Sequence, residues 1–211
     1  RDRSPSRGLG DVYKRQPFSL MKEYIPLLAE SGKQFLVLGN MNHITFKEIF
    51  HYFRENKMWL GYNAGHFWFK VPDYYEAKNT DYKQDEDGQK WRRLGNICWF
   101  TNMDIDIRHQ FLDLYKHFSI QEYPEYDNYD AYFVKTVADI PCDTDKPLAV
   151  PITFLSSFSP DQFELLDANQ FRKYDEVPVK SHGLIKDKDG TIKGKATYAR
   201  LLVRNRNPEK E

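Results

Sequence analysis

One stretch of the sequence carries the carboxylate spacing of a metal-binding loop. Asp187–Ile192 resembles the middle of a calcium-binding loop, in which oxygen ligands must surround the ion from both ends. The two outer ligand positions hold Ile185 and Ala196, whose side chains have no oxygen atom. The stretch is therefore predicted to form a hairpin turn with Asp189-Gly190 at its centre.

The histidines and cysteines show no spacing that is typical of metal ligands. Cys98 and Cys142 are far apart and belong to no CxxC or Cys/His pattern, so neither a disulfide framework nor a zinc site is indicated. His109 and His117 lie on one predicted helix, but that pair alone is not expected to bind a metal. P-loop, GxGxxG and GxSxG motifs are also absent from the sequence. The sequence therefore predicts no metal site.

The composition is that of a globular protein without bulk charge. Hydrophobic residues make up 40% of the 211 residues and aromatic residues 16%, which is enough for a substantial core. The 31 basic and 31 acidic residues cancel, which argues against a chain held to DNA by bulk charge and leaves local basic patches open. No apolar run approaches the roughly 18 residues of a membrane span, and no signal peptide is evident. A cytoplasmic protein without membrane attachment is expected.

Hydrophobic spacing predicts a helix, a buried strand and a second helix in the first quarter of the chain. The first helix ends at Gly32, and the apolar run Gln34–Gly39 predicts a parallel strand buried between helices. Thr45 and Glu48 fit a capping box that begins the next helix. Candidate core residues of that helix are Ile44, Ile49, Phe50 and Phe53. This order of elements indicates part of an α/β sheet.

The rest of the chain predicts short strands in irregular surroundings. Aromatic strands are predicted at 58–62, 66–71 and 96–101. A polar loop is expected over Asp73–Lys90, and an amphipathic helix over 108–118. Beyond that helix, prolines indicate a mostly irregular region before a closing strand at 196–205.

The dipeptide Pro17-Phe18, directly before the first predicted helix, has little weight by itself. From Pro17 onward, however, the chain resembles the EcoRI-type adenine-specific DNA methyltransferases. The resemblance runs through PFSLMKEY, FLVLGNMNHITFKEIF, ENKMWLGY, LGNICWFTNMD, YPEYDNYDA, VPITFL and PDQFELLDAN. These blocks are long, in order and spread over most of residues 17–204, which is more than chance similarity would give.

The resemblance implies an enzyme that transfers a methyl group from S-adenosylmethionine (AdoMet) to the N6 amino group of adenine in double-stranded DNA. It implies a monomer in a restriction-modification system, with a cognate endonuclease as functional partner. The implied fold is α/β, the back part of a Rossmann-like sheet with inserted target-recognition loops. Residues 17–105 would continue the catalytic domain, and residues 106–211 would hold the DNA-recognition region and the closing strand.

The implied catalytic loop of this family has the sequence Asn-Pro-Pro-Phe. Its carbonyl acceptors hold the amino hydrogens of adenine, because delocalisation of the nitrogen lone pair makes that nitrogen a poor nucleophile. Its aromatic residue stacks on the base once the base is flipped from the duplex. By resemblance, Pro17 matches the second proline and Phe18 the stacking aromatic. Arg15 and Gln16 stand where the Asn and the first proline are expected.

Residues 1–16 are expected to be translated laboratory DNA, which explains this departure. Ser6–Gln16 equals one reading frame of a common sequencing-library adaptor without a mismatch, and the residues before it fit the upstream part of the same oligonucleotide. Such scars are excluded from fold reasoning. The family's AdoMet-binding glycine motif would lie upstream of Pro17, so we expect an incomplete domain that is inactive by itself, with unknown cofactor-binding residues.

Basic residues outside the expected core are candidate DNA contacts, because Arg and Lys bind phosphates and guanine edges. The candidates are Lys70, Arg92, Arg93, Arg108, His109, Lys193 and Lys195, followed by His66, Lys186, Lys188, Arg200, Arg204 and Arg206. Each is also compatible with an ordinary surface charge.

A second interpretation is a non-catalytic, aromatic-rich module that binds nucleic acid or glycan and carries a native basic arm. The codons for residues 6–16 distinguish the two hypotheses, since adaptor codons there would exclude the arm.

Overall fold

A computed structural model describes residues 20–62, 66–76, 81–166, 184–186, 192–195 and 199–210. The predicted catalytic residues Pro17 and Phe18 lie outside these ranges, as do Lys188 and the turn Asp189-Gly190. The α-helices are α1 (Met21–Glu30) and α2 (Lys47–Arg54). The strands are β1 (Leu36–Asn40), β2 (Trp59–Leu60), β3 (His66–Lys70), β4 (Tyr82–Gln84), β5 (Lys90–Gly95), β6 (Ile97–Thr101), β7 (Tyr132–Phe133), β8 (Leu148–Pro151), β9 (Phe163–Leu165), β10 (Leu184–Lys186), β11 (Ile192–Lys195) and β12 (Arg200–Asn205). Short 3-10 helices cover Met41–Thr45, Asp106–His109, Val137–Asp139 and Ile152–Ser157.

The first helix ends where the sequence predicts. Helix α1 buries Met21 and Ile25 and is followed by Gly32, whose φ is 66°. Glycine adopts this left-handed conformation without the steric cost of a side chain. The termination at Gly32 is therefore confirmed.

The first sheet is antiparallel and has the strand order β1-β6-β2. Strand β1 pairs with β6 from Leu36 opposite Thr101 to Asn40 opposite Ile97. The prediction of a parallel strand over Gln34–Gly39 is wrong, because apolar residues on both faces indicate burial without fixing the direction of the partner strand.

Helix α2 forms as expected, but its predicted cap does not. The Thr45 hydroxyl donates to the Asn42 carbonyl at 2.8 Å, within the preceding 3-10 helix, and α2 begins after Phe46 without a side-chain cap. The capping box belongs instead to Asn40 and His43, at the start of that 3-10 helix. The predicted core residues Ile44, Ile49, Phe50 and Phe53 are all buried.

The second sheet is also antiparallel and has the order β3-β5-β4. Strands β3 and β6 confirm the predicted aromatic strands at 66–71 and 96–101. The predicted polar loop Asp73–Lys90 is wrong in part, because Tyr82–Gln84 forms β4 and pairs with β5. The polar composition of this segment gave no indication of β4, in which only Tyr82 is half-buried.

The segment 108–118 is not a helix. After the 3-10 turn Asp106–His109 it runs extended, and its backbone groups bond elsewhere in the chain. The side chain of Gln162 accepts from the Leu112 N–H at 2.7 Å and donates to the Leu112 carbonyl at 2.8 Å. Further along, the Phe118 N–H donates to Asp143. These long-range partners replace the bonds of a helix.

The third sheet has four strands in the order β7-β8-β12-β9. Strand β12 confirms the predicted closing strand, whereas β8 and β9 lie in the region predicted to be irregular. Side chains alternate along β8 and β12, so Leu148 and Val203 enter the main core while Ala149 and Leu202 enter a smaller cluster. Both faces of this sheet are therefore buried.

The main core joins all of these layers except the second sheet. It contains Phe53 of α2, Phe100 of β6, Phe154 and the inward residues of the third sheet. Strands β10 and β11 pair antiparallel, as expected for strands that flank the predicted hairpin turn, which itself lies outside the described residues. Among the described residues, no helix combines the length and apolarity needed to cross a bilayer.

Candidate nucleic-acid interface

The register of the second sheet places two lysines on either side of one tryptophan. Trp91 of β5 is opposite Lys70 of β3 and opposite Lys83 of β4. Directly opposite residues of antiparallel strands project from the same face of a sheet. The next row on that face contains Trp68 opposite Arg93. We call these five residues the tryptophan–lysine face.

The cations of this face lie against its indole rings. The Lys83 Nζ is 4.6 Å from the centroid of the Trp68 ring and 5.9 Å from that of Trp91, and the Lys70 Nζ is 5.3 Å from that of Trp91. These distances fit cation–π attraction. Both lysines remain exposed while both tryptophans are half-buried.

Arg93 and the lysines differ in their charge partners. Arg93 binds Asp81 through Nε at 2.9 Å and through a terminal nitrogen at 2.7 Å. In the part of the chain that the structure describes, neither Lys70 nor Lys83 makes an ion pair. The Trp91 indole N–H donates to Asp85 at 2.8 Å and is the main cause of the lowered pKa of that carboxyl. Lys70 also acts electrostatically on that carboxyl. Of the three cations of this face, the two lysines are those without an ion pair and are therefore better placed than Arg93 for an external anion.

The other face of the second sheet contacts the first sheet through Phe67. Phe67 contacts Trp99 of the first sheet edge to face, with 6.1 Å between ring centroids, and stacks on Phe69. Arg92 lies over the Tyr75 ring at 5.6 Å. The predicted pair Arg92 and Arg93 is thus divided between the two faces.

Arg108 and His109 form a separate group around Asp104. The Arg108 guanidinium stacks 3.8 Å from the centroid of the Trp59 ring. Burial lowers the pKa of Arg108, although Asp104 opposes this shift. His109 contacts Asp104 at 2.7 Å and is the main cause of the lowered pKa of that carboxyl. These two predicted contacts are therefore already engaged within the protein.

Among the remaining candidates, Arg200 is buried and not on the surface, where a DNA contact would have to lie. It is only 8% exposed and donates to the Val134 carbonyl at 2.9 Å, with its guanidinium over the Phe133 ring. Sequence alone did not reveal this, because a run of basic residues looks the same whether its strand is buried or exposed. Arg204 pairs with Glu164 at 3.6 Å. The structure places Lys186, Lys193, Lys195 and His66 in strands, and Arg206 beside the Phe163 carbonyl.

The described glycines do not form a cradle for AdoMet. A Cβ added at Gly39 would lie 2.3 Å from Cε2 of Phe100, and one at Gly61 would lie 3.0 Å from Cβ of Trp99. Both positions therefore serve close packing against aromatic rings, with no space for a ligand. The binding residues for this cofactor stay unassigned.

One group of metal-ligating side chains comes together elsewhere. His117, Cys142 and Asp143 offer one donor atom each, all within 4.8 Å of one another. Sequence spacing missed this group because 25 positions separate the histidine from the cysteine.

The comparisons identify the family of the chain. Residues 11–206 match the profile of the family described as adenine-specific methyltransferase EcoRI. The chain belongs to this family. The matched range includes Asp11–Gln16, so the start of native sequence at Pro17 stays a prediction. No solved structure matches the chain significantly.

Three curated relatives support the same family. The chain is 40% identical over 203 residues to Type II methyltransferase M.EcoRI of Escherichia coli, covering 94% of this chain and 58% of that protein. It is 35% identical over 206 residues to Type II methyltransferase M.MpnI of Mycoplasma pneumoniae, covering 92% and 64%, and 34% identical over 204 residues to M.MgeORF184P of Mycoplasma genitalium, covering 92% and 63%. The chain thus spans about three fifths of the length of these relatives.

Sequence reasoning missed three members of the tryptophan–lysine face. It named Lys70 and Arg93 but assigned Trp68 and Trp91 no role beyond that of general aromatics, and it placed Lys83 in a loop. One signal was available in the sequence. Trp68 and Lys70 are two positions apart, as are Trp91 and Arg93, and residues two apart share a face of a strand.

Proposed function

We propose that the full-length protein is a site-specific DNA methyltransferase that transfers a methyl group from AdoMet to N6 of adenine in double-stranded DNA. The observation that carries this proposal is the family match over residues 11–206. We place the enzyme in the cytoplasm, as a monomer within a restriction-modification system, because the relatives are Type II methyltransferases.

The catalytic part of the proposal rests on the loop that ends in Pro17-Phe18. In this proposal Phe18 stacks on the flipped adenine, and Pro17 holds the loop rigid because its ring fixes φ. In this proposal the native protein has Asn and Pro at the positions where this sequence has Arg15 and Gln16. The polypeptide as written would then lack the acceptor that holds the amino group.

The tryptophan–lysine face is the DNA contact in this proposal. Exposed lysines neutralise phosphates and release counterions, and aromatic side chains beside cations support nucleic acid by stacking. Lys70 and Lys83 combine both features, because each is exposed and lies within 6 Å of a tryptophan ring centroid.

The test is methyl transfer by the full-length gene product with labelled AdoMet and duplex DNA. Labelled N6-methyladenine should form, and Phe18→Ala should lower kcat. Lys83→Gln should raise KM for DNA several-fold with kcat little changed, because a phosphate contact contributes equally to ground state and transition state.

Lys146→Gln is the matched control for Lys83→Gln. Lys146 also lies over aromatic rings, 4.7 Å from the centroid of Phe118 and 5.1 Å from that of Tyr132. It lies outside the second sheet, so the KM of the Lys146→Gln variant for DNA should stay unchanged. Absence of labelled adenine would refute the methyltransferase proposal. DNA binding without methyl transfer would favour the alternative of a non-catalytic nucleic-acid-binding module.

A further inference from the structure

We propose that His117, Cys142 and Asp143 bind one Zn²⁺ ion. None of the three belongs to the tryptophan–lysine face or to the loop at Pro17-Phe18. The proposal therefore stands independently of the methyltransferase assignment.

Two backbone contacts hold the three ligands together. Segment 116–118 runs parallel to segment 141–143, with a bridge between Lys116 and Pro141. The Cys142 N–H donates to the Lys116 carbonyl at 2.8 Å, and the Phe118 N–H donates to Oδ1 of Asp143 at 2.7 Å. His117 is thereby fixed directly beside the other two ligands.

The C-terminal segment holds Cys142 from the other side. The Cys142 carbonyl accepts from the Asn205 amide at 3.2 Å and from the Glu209 N–H at 2.9 Å. A site whose ligands are fixed by the main chain loses little conformational entropy when an ion binds.

All three donor atoms lie within 4.8 Å of one another, and two of their three separations are close to those of a tetrahedral site. Nδ1 of His117 is 3.2 Å from Oδ2 of Asp143 and 3.8 Å from Sγ of Cys142. With Zn–S bonds of about 2.3 Å and Zn–N or Zn–O bonds of about 2.0–2.2 Å, neighbouring ligand atoms are about 3.4–3.6 Å apart. A modest closing of the three side chains would therefore complete the three bonds.

The types of the donor atoms select the metal. Mg²⁺ and Ca²⁺ prefer sets of oxygen ligands, whereas a set of one sulfur, one nitrogen and one oxygen suits Zn²⁺. The Cys142 thiol loses its proton to solvent on binding, because the thiolate is the ligand.

Access and a fourth ligand are both available. The His117 side chain is 74% exposed, so an ion can enter from solvent. Cys142 is only 4% exposed, so its sulfur is shielded from solvent. The Glu209 side chain interacts with the Cys142 thiol, and either its carboxylate or a water molecule can take the fourth position.

The test is a titration of the 211-residue chain with Co²⁺ alone, since this ion replaces Zn²⁺ and reports a thiolate ligand by a charge-transfer absorption band. We expect the band to saturate at one ion per chain and to disappear on addition of Zn²⁺. Cys142→Ser should abolish the band. His117→Gln should weaken Co²⁺ binding at least about tenfold. Removal of a residue that only supports a ligand already lowers metal affinity about 10- to 100-fold.

Two matched controls separate ligation from general effects. His109 is another exposed histidine, paired with Asp104 at 2.7 Å but without a ligating cysteine in its described contacts, so His109→Gln should retain the band. Cys98, the other cysteine of the chain, is fully buried in the first sheet, so Cys98→Ser should also retain it.

His117→Gln changes an exposed side chain and is expected to fold even if Cys142→Ser does not. The proposal is refuted if the unchanged chain gives no band. It is equally refuted if His117→Gln binds Co²⁺ as tightly as the unchanged chain, or if both controls lose the band.

Discussion

The first and second sheets of this protein have the same size and the same antiparallel pairing but opposite roles. Strand β6 of the first sheet reads ICWFT and buries every residue except the half-buried Trp99. Strand β3 of the second sheet reads HFWFK, and its Phe69 and Lys70 are exposed. The two strands share a Trp-Phe pair, so aromatic content does not distinguish a core sheet from a surface sheet.

The difference lies in the neighbours that register brings to each aromatic ring. Phe100 of β6 meets Phe53 of α2 edge to face and the backbone of Gly39. Trp91 of β5 lies between two lysines, Lys70 and Lys83. Cations opposite an indole require solvent on that face, which leaves the ring available to a ligand.

The largest expected effect separates the two sheets by stability. Phe100→Ala should lower the free energy of unfolding by about 3–5 kcal/mol, because it leaves a cavity in a fully buried site. Phe69→Ala, at a ring that is 37% exposed, should cost about 1 kcal/mol or less. Urea denaturation followed by circular dichroism measures both. Equal losses would show that the second sheet is as much a core as the first.

The glycines of the two sheets should respond with opposite sign. A methyl group at Gly39 would clash with Phe100, so Gly39→Ala should destabilise the protein by about 1–3 kcal/mol through overpacking. Gly95 of β5 has nothing within 4 Å of an added Cβ and no positive φ. Gly95→Ala should therefore be neutral or stabilise by about 0.4–1 kcal/mol. The same denaturation curves decide this, and a stabilising Gly39→Ala would contradict the close packing of the first sheet.

Local sequence predicted those parts of the fold whose burial or turn chemistry is local. Helix α2 with its core residues, strands β3, β6 and β12, and the hairpin of β10 and β11 were all expected. The resemblance carried by long sequence blocks identified the family, which the profile match confirms.

Long-range partners explain the failures. Leu148–Pro151 forms β8 because β12 pairs with it, although its flanking prolines suggested an irregular segment. Residues 110–118 form no helix because Gln162 and Asp143 satisfy backbone groups that a helix would have used.

The candidate sites follow the same rule. Lys70 and Arg93 could be named as basic residues, but their grouping with Trp68 and Trp91 depends on the register of two strands. The approach of His117 to Cys142 depends on a bridge between distant segments. Spacing of two residues pairs Trp68 with Lys70 and Trp91 with Arg93, but no short-range spacing brings the two strands together or joins His117 to Cys142.

The smallest expected effect compares the two faces of the second sheet. Lys70 lies on the tryptophan–lysine face and Arg92 on the opposite one, over Tyr75. If Lys70 neutralises one phosphate, Lys70→Gln should reduce the magnitude of the negative slope of log K against log salt concentration by about 0.9, because one fewer counterion is released. Arg92→Gln removes the same charge and should leave the slope unchanged. Fluorescence anisotropy of a labelled duplex, measured with the 211-residue chain at several salt concentrations, gives both slopes. An equal change of slope for the two variants would mean that net charge alone governs binding, and an unchanged slope for Lys70→Gln would mean that Lys70 contacts no phosphate. Either result would rule out the division of the second sheet into a binding face and a packing face.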